Sequence, residues 1–253
     1  MQVRVRRHVL RARSGPPAGA RSVRFGEQPA RRRLNRTLVI GDVHGCSREL
    51  NQLLTAFGPV SGDRLVAVGD LVNKGPDTPG VLDLVERHGI VCAMGNHEAK
   101  LLKMASTIPE KWTDKERRYE HRLGASVSET AARVAHWPLW VDLGDLLVVH
   151  AGLEPGKTSL QDMSRQAILT IRTWDGKGED LDNPHDPAWF DCIRWPVPVA
   201  FGHWAMRGFV DRPDVKGLDT GCVYGHELTG WCPEEHRFYH IAAREAYAPL
   251  TRD

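Results

Sequence analysis

The stretch that decides the fold runs from residue 38 to residue 98, where three short apolar runs each lead into a glycine and a polar residue. The three segments are LVIGDVHG (38–45), LVAVGD (65–70) and IVCAMGNHE (90–98). A short apolar run that stops at a glycine is typical of a buried strand. The segments between the runs are long enough for a crossover helix, so we expect the strands to be parallel neighbours.

The polar residues after these runs fall at one edge of the predicted sheet. Ligands of parallel sheets bind beyond the carboxyl ends of the strands. The residues at those ends are Asp42, His44, Asp70 and Asn96. The preceding glycine lets the backbone turn sharply and leaves room for a ligand. We therefore expect these four side chains to share one site.

Two later apolar runs end at a histidine. Residues 146–149, the second strand of a predicted hairpin with 140–143, stop at His150, and the predicted strand 197–201 stops at Gly202-His203. Helices are predicted over 47–57, 81–88 and 99–105, with a helical covering over 106–137. The segments 215–218, 222–228 and 237–241 have the pattern of closing strands.

Composition favours an ordinary globular protein of one large or two small domains. The 253 residues are 41% hydrophobic and 26% charged, and no apolar run approaches the roughly 18 residues of a membrane helix. The five cysteines are widely spaced and include no C-x-x-C pair. We expect reduced structural thiols in a cytoplasmic protein, in preference to a disulfide framework or a zinc knot.

Residues 1–36 form a basic arm, and residues 37–253 the predicted catalytic domain. The arm holds eleven arginines and one glutamate, so it carries +10 of the whole-chain charge of +2 and leaves −8 on the remainder. Its Arg-, Gly- and Pro-rich composition predicts disorder. Three explanations stay open: contact with nucleic acid or another polyanion, a transit peptide, or a start codon placed too far upstream. No apolar signal-peptide core is present.

The predicted edge carries oxygen and imidazole ligands without thiolates, a set that suits Mn, Fe, Co, Ni or Zn, with Mg also possible. Two such ions about 3.5–4 Å apart form a clamp for displacement at phosphorus and lower the pKa of a bound water to about 7, which supplies hydroxide. Asp70 follows the middle strand and is the candidate shared ligand. Asp42 and His44 would complete one ion. The other ion would take Asn96, His150 and His203.

Further roles follow from position. His97 comes directly after Asn96 and is assigned as the general acid that protonates the leaving oxygen. Lys74, in the loop after Asp70, would neutralise phosphate oxygens. Each residue alone has an ordinary explanation; Glu98, for example, is most simply an acid at a helix N-terminus. The complete set argues against coincidence.

These motifs resemble the five signatures of the calcineurin-like metallophosphoesterases, in particular the phosphoprotein phosphatase branch. The matching segments are GDVHG (41–45), GDLVNKGP (69–76), GNHE (95–98), VHAG (149–152) and GH (202–203), within a resemblance that spans about residues 37–239. The resemblance implies a four-layer α/β/β/α sandwich with two mixed sheets and metals at the strand ends. It also implies metal ligation by the six residues above and acid catalysis by His97.

Two features point to a subfamily. Asn73 and Lys74 stand where protein phosphatases carry Asp and Arg. The segments LDTGCVYG (218–225) and GHWA (202–205) resemble the symmetrical diadenosine tetraphosphatases, the ApaH-like phosphatases, which act on dinucleoside polyphosphates. This resemblance makes Arg172 and Arg194 candidates for the missing phosphate-binding arginine, and it gives Asn96 a phosphate contact.

Alternatives remain at this point. A serine/threonine protein phosphatase would use the same chemistry, and polyphosphate or capped RNA would be related anhydride substrates for a protein with a basic arm. A non-catalytic polyanion-binding protein is a third class, against which the intact ligand set argues. The segment GLEPGKT (152–158) is one residue too short for a phosphate-binding P-loop. We expect a loop beside the site there, with Lys157 near a distal phosphate.

Overall fold

The computed structural model describes residues 35–250. Apart from its last two residues, the predicted basic arm lies outside the described residues. Arg36 packs on the folded body, where its guanidinium group pairs with Asp63 at 2.6 Å and with Glu235 at 3.0 Å. The same group lies 4.0 Å from the centre of the Phe57 ring.

Helices and strands alternate through the first part of the described chain. The helices are α1 (Ser47–Phe57), α2 (Thr78–His88), α3 (Asn96–Ala105), α4 (Asp114–Leu123), α5 (Val127–Val134) and α6 (Arg165–Thr170). Short 3₁₀ helices span Pro109–Lys111, Leu160–Asp162 and Trp189–Asp191. The strands are β1 (Thr37–Ile40), β2 (Arg64–Ala67), β3 (Val91–Cys92), β4 (Trp140–Asp142), β5 (Leu147–Val149), β6 (Val199–Phe201), β7 (Val210–Asp211), β8 (Val215–Gly217), β9 (Glu227–Cys232) and β10 (Arg237–Ala242).

These strands form two five-stranded mixed sheets. The first has the order β10-β9-β1-β2-β3, with β1, β2 and β3 parallel and β9 antiparallel to its neighbours. The second has the order β4-β5-β6-β8-β7, with β5, β6 and β8 parallel. The predicted parallel arrangement of the first three strands is confirmed.

Alternating side chains along the strands divide the core into layers. Val39 points between the two sheets, where it packs with Val148 and Ala200. Its neighbours Leu38 and Ile40 point to the opposite face and pack against the helices, because successive strand residues face opposite sides. The outer face of the second sheet packs on α6 and the 3₁₀ helix at 189–191. The result is the expected order of helices, sheet, sheet and helices.

Helix α3 begins three residues before its predicted start at residue 99. The Glu98 side chain accepts a hydrogen bond from the Gly95 N–H at 2.9 Å, which caps the first helical turn from within. As a result, Asn96 and His97 belong to the first turn of the helix and follow β3 closely.

The predicted strand over 222–228 is wrong, because the chain turns there. Gly221 and Gly225 have φ angles of +71° and +91°, and the Tyr224 N–H donates to the Gly221 carbonyl at 2.9 Å. The strand β9 starts only at Glu227. The turn carries the Tyr224 side chain to the edge of the sheets where the predicted ligands lie.

Two further expectations concern membrane helices and the state of the cysteines. In residues 35–250, no helix has both the length and the apolar surface needed to cross a membrane. The five cysteines, all of which lie in this part of the chain, are free thiols. A hydrogen bond with Cys222, together with burial, raises the pKa of the Cys46 thiol. A protonated, buried thiol of this kind is chemically inert.

Candidate active site

The carboxyl ends of strands from both sheets meet at one edge of the molecule. The first sheet places Asp42 after β1, Asp70 after β2 and Asn96 after β3, while the second places His150 after β5 and His203 after β6. Hydrogen bonds and close contacts join these side chains into one cluster. The structure therefore brings together residues that are up to 161 positions apart in the chain.

Asp70 lies at the centre of this cluster. Its Oδ2 atom is 3.5 Å from the Nε2 atoms of both His44 and His150. The Asn96 Oδ1 atom is 2.8 Å from His150 Nε2 and 3.1 Å from His203 Nδ1. Ligands of one metal ion lie at similar separations, since each is about 2.0–2.2 Å from the metal.

Two groups of possible metal ligands share Asp70. One group contains His44, Asp70 and His97, and the other contains Asp70, His150 and His203. Within each group, one ligand atom per residue lies within 4.8 Å of the others. A carboxylate that belongs to both groups is a candidate shared ligand for two neighbouring divalent ions.

Asp42 closes another side of the cluster together with Asp219. Its two Oδ atoms accept from the His203 N–H at 3.3 and 3.1 Å. Burial and the charges of Asp219 and Asp70 raise the pKa of Asp42 well above its ordinary value. Burial also raises the pKa of Asp219 to about 6. Three carboxyl groups thus face one another away from water, and a bound cation would neutralise this concentration of negative charge.

The imidazole groups of the cluster are also suited to binding a cation. Burial lowers the pKa of His44, His150 and His203, which leaves the rings neutral with a lone pair to donate. His44 Nδ1 lies 3.3 Å from the Val72 carbonyl and His150 Nδ1 lies 3.2 Å from the Val68 carbonyl, so the proton is placed on Nδ1 and Nε2 faces the cluster. His203 Nε2 is buried without a hydrogen-bond partner in residues 35–250. Neutral imidazoles, carboxylates and an amide oxygen suit a divalent metal ion.

Unusual backbone conformations are concentrated at this cluster. Six non-glycine residues between positions 35 and 250 have a positive φ angle, and five of them lie in the loops of the site. The five are His44, Asp70, Asn73, Lys74 and His203, with φ between 48° and 68°. Each such residue costs on the order of 1–3 kcal/mol. The surrounding packing holds these backbones in place and so aims the side chains.

Two glycines allow the loops to approach the carboxylates. A Cβ atom at Gly202 would collide with Asp42 Oδ1, and one at Gly95 would collide with Asp70 Oδ1. Any larger residue would push the loop away from the carboxylate, because the space is already filled. The glycine that precedes each polar residue is therefore needed for close approach.

Glu98 has a larger role than a helix N-terminal acid. Its fully buried carboxylate accepts four backbone hydrogen bonds. Leu71 and Val72 donate to Oε1 at 2.9 and 3.1 Å, and Asp70 and Gly95 donate to Oε2 at 2.9 Å. One side chain thus joins the loop after β2 to the start of α3. In the sequence, an acid three residues after a helix N-cap is the pattern of a capping interaction, and this pattern could have indicated the role of Glu98.

His97 lies beside the cluster and faces a second space. Its backbone N–H donates to Asp70 Oδ1 at 2.9 Å, and its ring meets the His44 ring edge-on at 4.8 Å. The Tyr119 ring stacks on it at 6.0 Å, and the Tyr119 hydroxyl donates to the His97 carbonyl at 2.9 Å. His97 lines a cavity of about 140 Å³ next to the ligands. This position is compatible with an acid that faces a leaving group.

A cleft of about 210 Å³ covers the cluster and is lined by His44, Asp70 and His203. Two of the predicted phosphate-binding residues line it as well. The Lys74 Nζ atom lies 3.5 Å from His44 Nε2, and the Arg172 guanidinium pairs with an aspartate of the cleft wall at 2.7 Å. Both cations therefore line the cleft that covers the cluster.

Two other predicted cations lie elsewhere. Arg194 lines neither cavity, and its Nη1 atom donates to the Phe190 and Ile193 carbonyls at 3.4 and 2.8 Å. The 3₁₀ helix before it buries Trp189 and Phe190, and the chain then directs the Arg194 guanidinium back onto that backbone. Lys157 is exposed and also lines neither cavity. The assignment of Arg194 to phosphate binding is thus not supported.

Asp219, Tyr224 and Arg207 are among the cleft residues that the sequence analysis did not assign to the site. Asp219 and Tyr224 both line it, and both lie in the segment 218–225 that suggested the subfamily. Arg207 lines it too, with its guanidinium 5.8 Å from the Trp204 ring. It follows the GHWA segment by two positions. In the sequence, only their position in or next to these motifs could have pointed to the three residues, because the motifs themselves assigned them no role.

Sequence comparisons point to one family. The model of the calcineurin-like phosphoesterases matches residues 35–230. The symmetrical bis(5'-nucleosyl)-tetraphosphatase of Ralstonia nicotianae is 32% identical, over 84% of this chain and 96% of that protein. The protein of the same name from Coxiella burnetii is 30% identical, over 83% of this chain and 93% of that protein.

Structural comparisons agree with this. The crystal structure of a candidate diadenosine tetraphosphatase superposes with a TM-score of 0.72 at 32% identity, over 83% of this chain and 94% of that one. A metallophosphoesterase from Sphaerobacter thermophilus has the same fold, with a TM-score of 0.52 at 16% identity over 83% of this chain and 89% of that one. The chain belongs to the calcineurin-like phosphoesterases, a family of hydrolases that use divalent metal ions.

Proposed function

We propose that this chain hydrolyses diadenosine tetraphosphate, or a closely related dinucleoside polyphosphate, at the central phosphoanhydride bond. The observation that carries the proposal is the pair of ligand groups that share Asp70 at the common edge of the two sheets. The relatives from Ralstonia and Coxiella, named symmetrical bis(5'-nucleosyl)-tetraphosphatases, support the choice of substrate. Symmetrical cleavage of diadenosine tetraphosphate with one water gives two ADP.

The metal centre of this proposal consists of two divalent ions, with manganese the first choice. One ion would be held by Asp42, His44 and Asp70, and the other by Asp70, Asn96, His150 and His203. Asp42 and Asn96 join the two observed groups through their hydrogen bonds to His203. His97 is a member of the first group but is assigned to proton transfer, because it lines the second cavity. Bound ions of this kind lower the pKa of water and neutralise phosphate charge. The oxygen and nitrogen ligands support manganese over metals that prefer thiolates.

Protein groups then position the substrate and move the proton. Lys74, Arg172 and the Asn96 amide would hold phosphate oxygens in the cleft. The water oxygen forms the new P–O bond in line with the anhydride bond that breaks. His97 donates its proton to the departing oxygen of the leaving ADP, a role that contributes roughly 10²–10⁴ in rate.

A hydrolysis panel tests the proposal. The full chain is incubated with Mn²⁺ or Co²⁺ and with diadenosine tetraphosphate, polyphosphate, capped RNA or a phosphoserine peptide, and the products are separated by anion exchange. We expect ADP as the main product from diadenosine tetraphosphate, and no product with EDTA. Intact diadenosine tetraphosphate beside rapid loss of peptide phosphate would instead favour the serine/threonine phosphatase alternative.

The basic arm is proposed to contact RNA or another polyanion. Deleting residues 1–33 tests this, because Arg36 pairs with Asp63 and should be kept. Turnover of diadenosine tetraphosphate should survive, while retention on an RNA column should fall. The five free thiols support a reducing compartment such as the cytoplasm.

A further inference from the structure

A second cavity opens on the His97 side of the cluster, and its charge differs from that of the main cleft. Its volume is about 140 Å³, and among residues 35–250 its lining holds four cations and no carboxylate. The four are Lys74, Lys100, Lys115 and Arg122. Within the same range of residues, the main cleft is lined by five aspartates beside its cations, and two of these aspartates pair with arginines. The second cavity is therefore suited to an anion, while the carboxylates of the main cleft are suited to cations.

The helical segment after β3 builds this cavity. Lys100 comes from α3, and Lys115, Tyr119 and Arg122 come from α4. The α4 residues are four and three positions apart, so they share one helix face. The buried Tyr119 ring anchors that face by stacking on His97, and Lys100 Nζ lies 5.2 Å from the ring centre. The cations are thus held next to the proposed acid.

The two cavities meet at Lys74 and Tyr224, which line both. Lys74 Nζ donates to the Tyr224 hydroxyl at 2.7 Å. Asn96, a proposed metal ligand, forms part of the second cavity. A polyphosphate chain that passes Lys74 would therefore reach into both cavities, with the metal cluster between them.

We infer that the second cavity binds the leaving half of the substrate, through the diphosphate of the departing nucleoside diphosphate; this rests on the function proposed above. The acid must reach the leaving oxygen, and His97 lines the second cavity but not the main cleft. The leaving half consequently lies on the His97 side. Its several negative charges match the four cations. The cavity is smaller than the roughly 300–1,000 Å³ of whole-ligand pockets, so it suits the phosphates rather than the adenosine.

The test compares two double variants of α4 that each remove two positive charges. Lys115→Gln with Arg122→Gln removes two cations of the cavity. Arg117→Gln with Arg118→Gln is the control, because these exposed residues line neither cavity. Each variant is assayed on diadenosine tetraphosphate and on p-nitrophenyl phosphate, whose leaving group has no phosphate. ADP binding is measured by calorimetry in the presence of Mn²⁺.

For the cavity variant, we expect kcat/KM on diadenosine tetraphosphate to fall about 10-fold, as the loss of two exposed charge contacts would allow. The ratio of this value to that on p-nitrophenyl phosphate should fall at least about 5-fold, and ADP binding should weaken. The control pair should leave the ratio and ADP binding unchanged.

An equal loss on both substrates, or an equal effect of the control pair, would overturn the inference. Should the wild type cleave p-nitrophenyl phosphate but not diadenosine tetraphosphate, the proposed function fails. Calorimetry then still decides about the cavity: weaker ADP binding by the cavity variant supports an anion site, and unchanged binding refutes it.

Discussion

Replacing Glu98 by glutamine tests whether a buried carboxylate holds the metal-site loops together. Each carboxylate oxygen accepts two backbone N–H groups at 2.9–3.1 Å. Glutamine has the same size but presents an NH₂ group in place of one oxygen. That NH₂ group would face two N–H donors, so two hydrogen bonds would be lost and two buried donors would lack a partner.

The magnitude follows from the number of bonds lost. Hydrogen bonds to a charged group contribute about 1.5–3 kcal/mol each, so Glu98→Gln should reduce the free energy of unfolding by about 3–6 kcal/mol. Burial and the charge of Asp70 raise the pKa of Glu98, which opposes the ionised form. We nevertheless expect the carboxylate at neutral pH, because four donors surround its oxygens and leave no acceptor for a carboxyl proton.

Guanidinium unfolding at pH 7, followed by far-UV circular dichroism with a chelator present, measures this change. Glu120→Gln is the matched control, because Glu120 is exposed on α4 and its loss should change stability by less than about 0.5 kcal/mol. A Glu98→Gln protein within about 1 kcal/mol of the wild type would mean that Glu98 is already neutral, or that the four bonds do not hold the loops. Either result would refute the reasoning.

Three further substitutions test the site and its support. Asp70→Asn should reduce turnover by more than the roughly 10–100-fold typical of residues that only support a metal ligand, with an unchanged circular dichroism spectrum; a normal rate would exclude Asp70 as the shared ligand. Gly202→Ala should destabilise the fold by about 1–3 kcal/mol in denaturant unfolding and weaken Mn²⁺ binding in calorimetry, because the new Cβ would collide with Asp42; equal Mn²⁺ affinity would contradict this. Burial favours a higher pKa for Asp63, but hydrogen bonds, chiefly from Arg36, outweigh it and lower the pKa. Because the folded-state pKa is the lower one, this stabilisation is present above about pH 3.9 and is lost as the pH falls through the folded-state value. Asp63→Asn should therefore be less stable than the wild type at pH 7, with a gap that closes in acid; a gap that stays constant with pH would show that ionisation is irrelevant.

The repeated pattern of apolar run, glycine and polar residue was sufficient to locate the site. It depends on a regular property of parallel sheets, whose strands all end at the same edge. Asp42, Asp70 and Asn96 meet there, joined by His150 and His203 from the second sheet. Strand order within that second sheet was not predictable in the same way, because its pairings depend on contacts between distant segments.

The parts that sequence reasoning missed lie in a turn and in a helical insertion. Residues 222–224 are apolar and aromatic, as is typical of a strand. However, Gly221 and Gly225 adopt positive φ angles that turn the chain and bring Tyr224 to the cleft. Lys115 and Arg122 sit in a charged helix whose two apolar residues, Tyr119 and Leu123, are four positions apart and indicate the face that packs inward. The helix sequence does not show that this face packs against His97, because that contact joins distant segments.

The positions of the proposed ligands on both sheets have a mechanical consequence. Asp42 and Asp70 follow strands of the first sheet, and His150 and His203 follow strands of the second. Ions bound among these residues would therefore cross-link the two sheets. Any agent that binds only the assembled form shifts the equilibrium toward that form. Replacing Val148, which packs between the two sheets, by a smaller residue would then weaken the binding of the ions, even though its side chain is not one of the proposed ligands.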